Sequence, residues 1–383
     1  MHCRWHFPAL IVTAFLSACS AQNDKPPVIT AVDQVYAAHQ ASLAQYQKGE
    51  AETVPVPEVK DDLGFEALIR VLAKETTINW GDAKRASRTE YVKYSNHYRT
   101  RVFVDFEKGR VRIETLDRQD LHQAIVTTLL TPNDPEQVDI FSDSEVALGK
   151  EPLLYKQVFD QKGQSIRWYW RASQYADYLI ANHLMQNKTA KGPVFYVDFA
   201  MKQNRMSNKR YQYASLVRTN ARRYGIDESL IYAVMRTESS FNPFAVSWAN
   251  AYGLMQVVPS TAGRDVFQRI YKKRGKPSRS YLFKPANNIK IGTAYLHILN
   301  TIYLKDIQNP LSRRYAIISA YNGGAGNVLK TFHRNRTQAI KAINRLKPSQ
   351  VYWALTTKHP RSESRNYLKK VTRFEKLFHS GKV

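Results

Sequence analysis

Cysteine is nearly missing from this chain of 383 residues: there are two, Cys3 and Cys19, both close to the N-terminus. A disulfide framework and a cysteine-bound metal cluster are thereby excluded. The ten histidines include no HExxH pair, which argues against a zinc hydrolase. No metal and no organic cofactor is expected. Long apolar runs are missing too: the run over residues 7–15 is too short to span a bilayer. Acid is short only in the second half. Residues 205–383 hold about 33 Lys and Arg against about 7 Asp and Glu, while residues 1–204 hold about 24 against about 25. The net charge of +25 therefore belongs to the second half. Such a field draws in a polyanion and speeds encounter with it. Nucleic acid and an anionic wall polymer both qualify.

What is present suffices for two or three domains with a real core, given the length and 43% hydrophobic residues. The 23 tyrosines are many; a flat ring with a polar tip suits the face of a sugar as well as a core. Residues 20–62 are polar, with Pro26, Pro27, Pro55 and Pro57, and read as a tether with a helix over 32–48. Apolar spacing predicts helices over 65–74, 121–130 and 173–185. Alternation over 101–106 and 110–116 around Lys108-Gly109 predicts a hairpin, and 192–199 a further strand. From about residue 205 strand signals vanish. Helices are expected over 211–224, 289–303, 313–321, 337–347 and 363–378. The fold class is α+β: a mixed α/β N-terminal domain over 63–204, then a mostly α-helical domain over 205–383.

One helix in that second domain carries the chemistry. Gly225 stops its predecessor, Asp227 is a plausible N-cap with Glu228 in the first turn, and Leu230, Ile231, Val234 and Met235 form a stripe. Positions 230, 234 and 238 share that face, so Glu238 falls on apolar ground at the C-terminal end. Desolvation and the negative end of the helix dipole both favour its neutral acid and raise its pKa. That is what a glycosidase needs in order to protonate a leaving oxygen near neutral pH. Glycoside hydrolysis ordinarily uses two carboxylates. Besides Glu238 this basic half offers only Asp227, Glu228, Asp265, Asp306, Glu363 and Glu375, none in a motif of that kind.

Three segments then fall into order: Glu238-Ser239-Ser240-Phe241-Asn242-Pro243, Gly253-Leu254-Met255-Gln256, and Ala320-Tyr321-Asn322-Gly323-Gly324. Together they resemble the lytic murein transglycosylases, whose catalytic domain is lysozyme-like and related to goose-type lysozyme. Residues 63–200 resemble the N-terminal domain of the membrane-bound C-type members and carry no catalytic motif. The resemblance implies cleavage of the bond between N-acetylmuramic acid and N-acetylglucosamine in peptidoglycan glycan strands. Glu238 would act first as acid and then as base on the muramyl 6-hydroxyl, giving a 1,6-anhydromuramyl end without water. It also implies supporting roles. Ser247 matches a serine near the acid, and Gln256 would hydrogen-bond sugar with Met255 packed beneath it. Thr261 matches a threonine at the groove edge. Tyr321 would point at the acid and Asn322 at sugar. In Glu363-Ser364-Arg365-Asn366-Tyr367, Tyr367 would hold the Glu238 carboxyl and Glu363 would bind substrate. The chain departs from many relatives at Val258, where they carry Met, and Trp248 lies outside the general motif. A goose-lysozyme-type hydrolase would share the acid but use water, with Asp265 a candidate second carboxylate. A wall- or nucleic-acid-binding lipoprotein with idle catalytic groups is the other alternative.

The start of the chain reads as an address. Arg4 with His2 and His6 precedes the apolar run, and Leu16-Ser17-Ala18-Cys19 closes it. That ending resembles the bacterial lipobox, which makes 1–19 a signal peptide with its lipobox and implies cleavage just ahead of Cys19, leaving Cys19 as the new first residue, carrying lipid. Ser20 after it suggests the outer membrane, facing the periplasm. That address argues against a nucleic-acid partner.

Overall fold

Strand alternation and helical stripes both emerge where the spacing predicts them, in the expected α+β order. The computed structural model describes residues 72–140, 143–189, 191–202 and 212–380. The signal segment, Cys19, the tether and the first residues of the helix expected from 65 lie outside them. Everything described belongs to one compact unit, Ile69–Val383.

Helix α1 spans 72–80. A sheet follows, with strands β1 (Glu90–Ser95), β2 (Thr100–Asp105), β3 (Arg110–Thr115), β4 (Met185–Thr189) and β5 (Gly192–Ala200), in the antiparallel order β1-β2-β3-β5-β4. The hairpin predicted around Lys108-Gly109 is β2–β3, pairing Val102 with Ile113 and Val104 with Val111. Those inward residues meet helices α2 (Leu121–Leu129) and α3 (Tyr169–His183), which pack on each other and on that face. On the opposite face Val92, Tyr94 and Val194 join Leu72 and Trp80 in a small second core. β4 was not foreseen: all five of its residues are exposed, so it carries no apolar alternation to read.

The helical part comprises α4 (Ala214–Tyr224), α5 (Glu228–Ser239), α6 (Arg264–Arg269), α7 (Arg279–Phe283), α8 (Pro285–Ile298), α9 (Pro310–Gly323), α10 (Ala325–Lys330), α11 (Arg336–Arg345), α12 (Pro348–Thr357) and α13 (Ser362–His379). Gly225 ends α4 in the left-handed conformation, as expected of a C-terminal stop. α5 runs through the core against α13. Leu230, Ile231, Ala233, Val234 and Met235 are at most 1% exposed, which is why this segment is fixed in place. Each large apolar side chain so buried stabilises by roughly 1.5–3 kcal/mol relative to exposure. Asp227 stands at the N-cap position but makes no capping hydrogen bond; its carboxylate pairs instead with Arg314 at 2.7 Å.

The sheet abuts the helical part beside the end of α5. Tyr91 meets Phe244 edge-on at 5.1 Å, and the Val246 amide donates to the Ser87 carbonyl at 3.4 Å. On another flank Lys284 pairs with Glu136 at 2.6 Å.

Candidate active site

Glu238 lies in the last turn of α5 and is 5% exposed. Two non-glycine residues with positive φ follow at once, Ser240 at 52° and Phe241 at 63°. Left-handed backbone costs such residues about 1–2 kcal/mol each, so the turn persists only because its surroundings hold it. Phe241 is buried against Phe378, edge-on at 6.2 Å. The Ser239 hydroxyl donates to the Met235 carbonyl at 3.0 Å and to the Leu254 carbonyl at 2.8 Å. The second of these ties the acid's helix to the Gly-Leu-Met-Gln turn.

That turn is itself pinned by Asn288 of α8, fully buried. Its Oδ1 accepts from the Met255 amide at 2.8 Å, and its Nδ2 donates to the Tyr252 and Leu282 carbonyls at 2.7 Å each. Gly253 adopts φ +73°, and a Cβ there would collide with the Asn288 carboxamide and the Leu282 carbonyl, so only glycine fits. Met255 is fully buried and packs on Gly292 so closely that no larger residue fits there. Gln256, with φ 47°, donates from Nε2 to the Ala245 and Gly253 carbonyls at 3.1 Å each.

The remaining expected residues gather unevenly. Tyr367 of α13 is buried with its hydroxyl against the Glu238 carboxyl, close enough to favour the charged form, though short of a well-aligned hydrogen bond. Tyr321 is kept from ionising by burial and by the Glu238 charge that it feels, but its hydroxyl donates to the Met255 carbonyl at 2.9 Å. It thereby supports the turn that carries Gln256. Asn322 accepts from the Ser364 hydroxyl at 2.7 Å and donates to Glu363 Oε1 at 3.4 Å. Ser247 accepts the Ala251 amide at 3.1 Å within its own loop. Thr261 is exposed on the turn ahead of α6. Asp265 accepts from the Tyr303 hydroxyl at 2.8 Å and pairs with Arg269 at 3.5 Å.

Arg88 was not foreseen. It enters from the segment just before β1, and its Nη1 lies 3.7 Å from Glu238 Oε2 and 3.5 Å from Glu363 Oε1. The sheet thus delivers a cation between the site's two carboxylates. No motif surrounds Arg88 in the sequence, and none could have flagged it. Asn288 did carry a signal, a polar residue one turn ahead of Ile291 and Gly292 on a buried face.

Burial dominates the electrostatics. It raises the Glu238 pKa to about 7; contact with Tyr367 and the charge of Arg88 pull it down, and the charge of Glu363 pushes it up. A carboxyl so placed holds its proton near neutrality and can give it up and take it back.

A family model described as "Membrane-bound lytic murein transglycosylase C, N-terminal domain" matches residues 58–212, and one described as "Transglycosylase SLT domain" matches residues 215–344. A relative named membrane-bound lytic murein transglycosylase C from Serratia proteamaculans is 49% identical over 327 residues, 84% of this chain and 91% of that one. The chain belongs to this lytic murein transglycosylase family. The relative of the same name from Photorhabdus laumondii is also 49% identical, over 84% of this chain and 92% of its own. The crystal structure of the 70 kDa soluble lytic transglycosylase from Escherichia coli matches 43% of this chain and 23% of its own at 30% identity, with a TM-score of 0.34. Within this transglycosylase, Glu238, Gln256 and Asn322 fall inside the region matched by the second family model, while Glu363 and Tyr367 on α13 lie beyond it. No helix among the described residues is long and apolar enough to cross a membrane.

Proposed function

We propose that the chain cuts peptidoglycan between N-acetylmuramic acid and N-acetylglucosamine without water, with Glu238 as its one acid and base. The observation that carries this is a carboxyl 5% exposed with its pKa raised to about 7. The Glu238 proton passes to the glycosidic oxygen as the bond from C1 to that oxygen breaks. The 6-hydroxyl oxygen of the same muramyl residue bonds to C1, and its proton returns to Glu238. The side chain ends protonated, as it began, and the product is a 1,6-anhydro ring. Because nucleophile and electrophile share one sugar, the step gains from high effective molarity. Gln256, Met255, Asn322 and Glu363 would line the sugar sites, Ser247 and Thr261 their edge, and Tyr321 and Tyr367 would fix the machinery from behind.

Glu363 supports one competing reading, since it is a second carboxylate beside Glu238 and could activate water in a hydrolase. Arg88 lying 3.5 Å from it argues for an ion-paired binding group instead. Mass spectrometry of soluble products from purified sacculi separates the two. Anhydro-ended muropeptides, one water lighter than reducing-ended ones and lost in Glu238→Gln, support the transglycosylase; reducing ends would overturn it.

The same proposal extends to the rest of the chain. Residues 1–19 are a signal with its lipobox, cut ahead of Cys19 so that Cys19 becomes the lipid-bearing first residue of the mature protein, and 20–62 are a tether. Residues 63–204 and 205–383 are the N-terminal and catalytic domains, held at the periplasmic face of the outer membrane. Acyl chains would supply the anchor. A Cys19→Ala variant found in the soluble periplasmic fraction is the expected result; membrane retention of that variant would overturn the lipid anchor.

A further inference from the structure

Beside Glu238 a second cleft of about 430 Å³ opens between segment 87–89, the end of α5, loop 246–248 and α13. Arg88, Arg236, Lys370 and Arg373 bring four cations to it against one acid, Glu107. Arg236 is engaged within the protein, donating to the Ser240 hydroxyl and lying 5.2 Å above the Phe374 ring. Lys370 and Arg373 stand on the exposed side of α13, three residues apart, and neither forms an ion pair among the described residues. Trp248, 87% exposed, lines the cleft with the Arg85 guanidinium 5.4 Å over its ring. Like charges gathered in a cleft raise the local potential until an anion arrives.

The position of the cleft says which anion. It shares Arg88 with Glu238, so whatever occupies it lies next to the bond being cut. In a murein strand the sugars themselves are uncharged, and the carboxylates sit on the peptide carried by the lactyl group of the same muramyl residue that donates its 6-hydroxyl. We propose that this cleft receives the carboxylate-bearing stem peptide of the strand being cut, with Lys370 and Arg373 meeting its carboxylates and Trp248 flanking its backbone. The inference rests on the transglycosylase reading of Glu238 and adds to it a preference for strands that keep their peptides.

Three substrates test it with the full chain in detergent: intact glycan strands, the same strands stripped of peptide by an amidase, and intact strands whose peptide carboxylates have been amidated. The wild type is expected to favour intact strands over both others, and rising salt should shrink that advantage by screening. Lys370→Gln/Arg373→Gln should lower kcat/KM on intact strands by about tenfold, chiefly through KM, and so narrow the ratio between intact and stripped strands. The charge-keeping Lys370→Arg/Arg373→Lys should restore that ratio. A fall of equal size on all three substrates, or a wild type indifferent to peptide and to amidation, would overturn the proposal while leaving the transglycosylase reading standing. Absence of anhydro products from every substrate with the wild type would instead overturn that reading.

Discussion

Two glutamates, one in the sheet and one in the helical part, are equally buried at 5% exposure, yet they are equipped for opposite tasks. Glu114 of β3 accepts from Arg101 Nε at 2.5 Å and Arg112 Nε at 2.6 Å; Arg112 also reaches Asp198 at 2.9 Å and Arg101 reaches Asp82 at 2.7 Å. It is an anion locked into a ladder across the strands. Glu238 instead has the Arg88 guanidinium 3.7 Å away with no hydrogen bond between them, and its pKa rises to about 7. Burial alone therefore does not make an acid catalyst. What decides is whether the donors needed to hold the charge have been supplied or withheld.

The largest effect that would sharpen this contrast is loss of catalysis. Glu238→Gln should lower kcat on sacculi by about 10²–10⁴-fold, the usual contribution of a general acid–base group. Breaking the other glutamate should act on stability instead. Glu114→Ala leaves two guanidiniums facing each other and should cost about 3 kcal/mol in urea unfolding, while activity per folded molecule holds. Equal loss of specific activity in the two variants would break the comparison.

Smaller but more diagnostic is the stability of Glu238→Gln. The folded pKa lies above the ordinary value of 4.5, so the native state binds the extra proton between pH 4.5 and about 7. The wild-type side chain is at its most stabilising below pH 4.5, and that contribution disappears as pH rises through about 7. Glu238→Gln should accordingly gain on the order of 3 kcal/mol over the wild type at pH 8, a gap that closes toward pH 4.5. A gap independent of pH in calorimetry would mean that the carboxyl is not strained.

Asn288→Ala removes three hydrogen bonds from buried backbone groups around the Gly-Leu-Met-Gln turn and should cost about 1–3 kcal/mol, lowering Tm and raising KM together. The smallest shift belongs to Arg88→Gln. It removes a charge that holds the Glu238 pKa down, against the opposing charge of Glu363 and beside the hydroxyl of Tyr367. The alkaline limb of kcat/KM should move to higher pH by a fraction of a unit, and Arg88→Lys should move it part of the way back. An unmoved limb would place Arg88 outside the acid's electrostatics.

Taken by itself, the sequence determined the local half of this protein. The period of apolar residues placed α5 and put Glu238 on its inner face, alternation placed β2 and β3, and composition confined the positive charge to the second half. Such patterns are legible because helix and strand each repeat along a few neighbouring residues. The tertiary structure alone decided what surrounds the carboxyl: Arg88 arriving from the edge of the sheet, Asn288 holding the Met255 amide, the Tyr321 hydroxyl turned to the Met255 carbonyl, and the cationic cleft that Lys370 and Arg373 share with Arg88. These are single contacts between segments far apart in the chain. They have no period to betray them, and only the packing of sheet against helices brings the partners together.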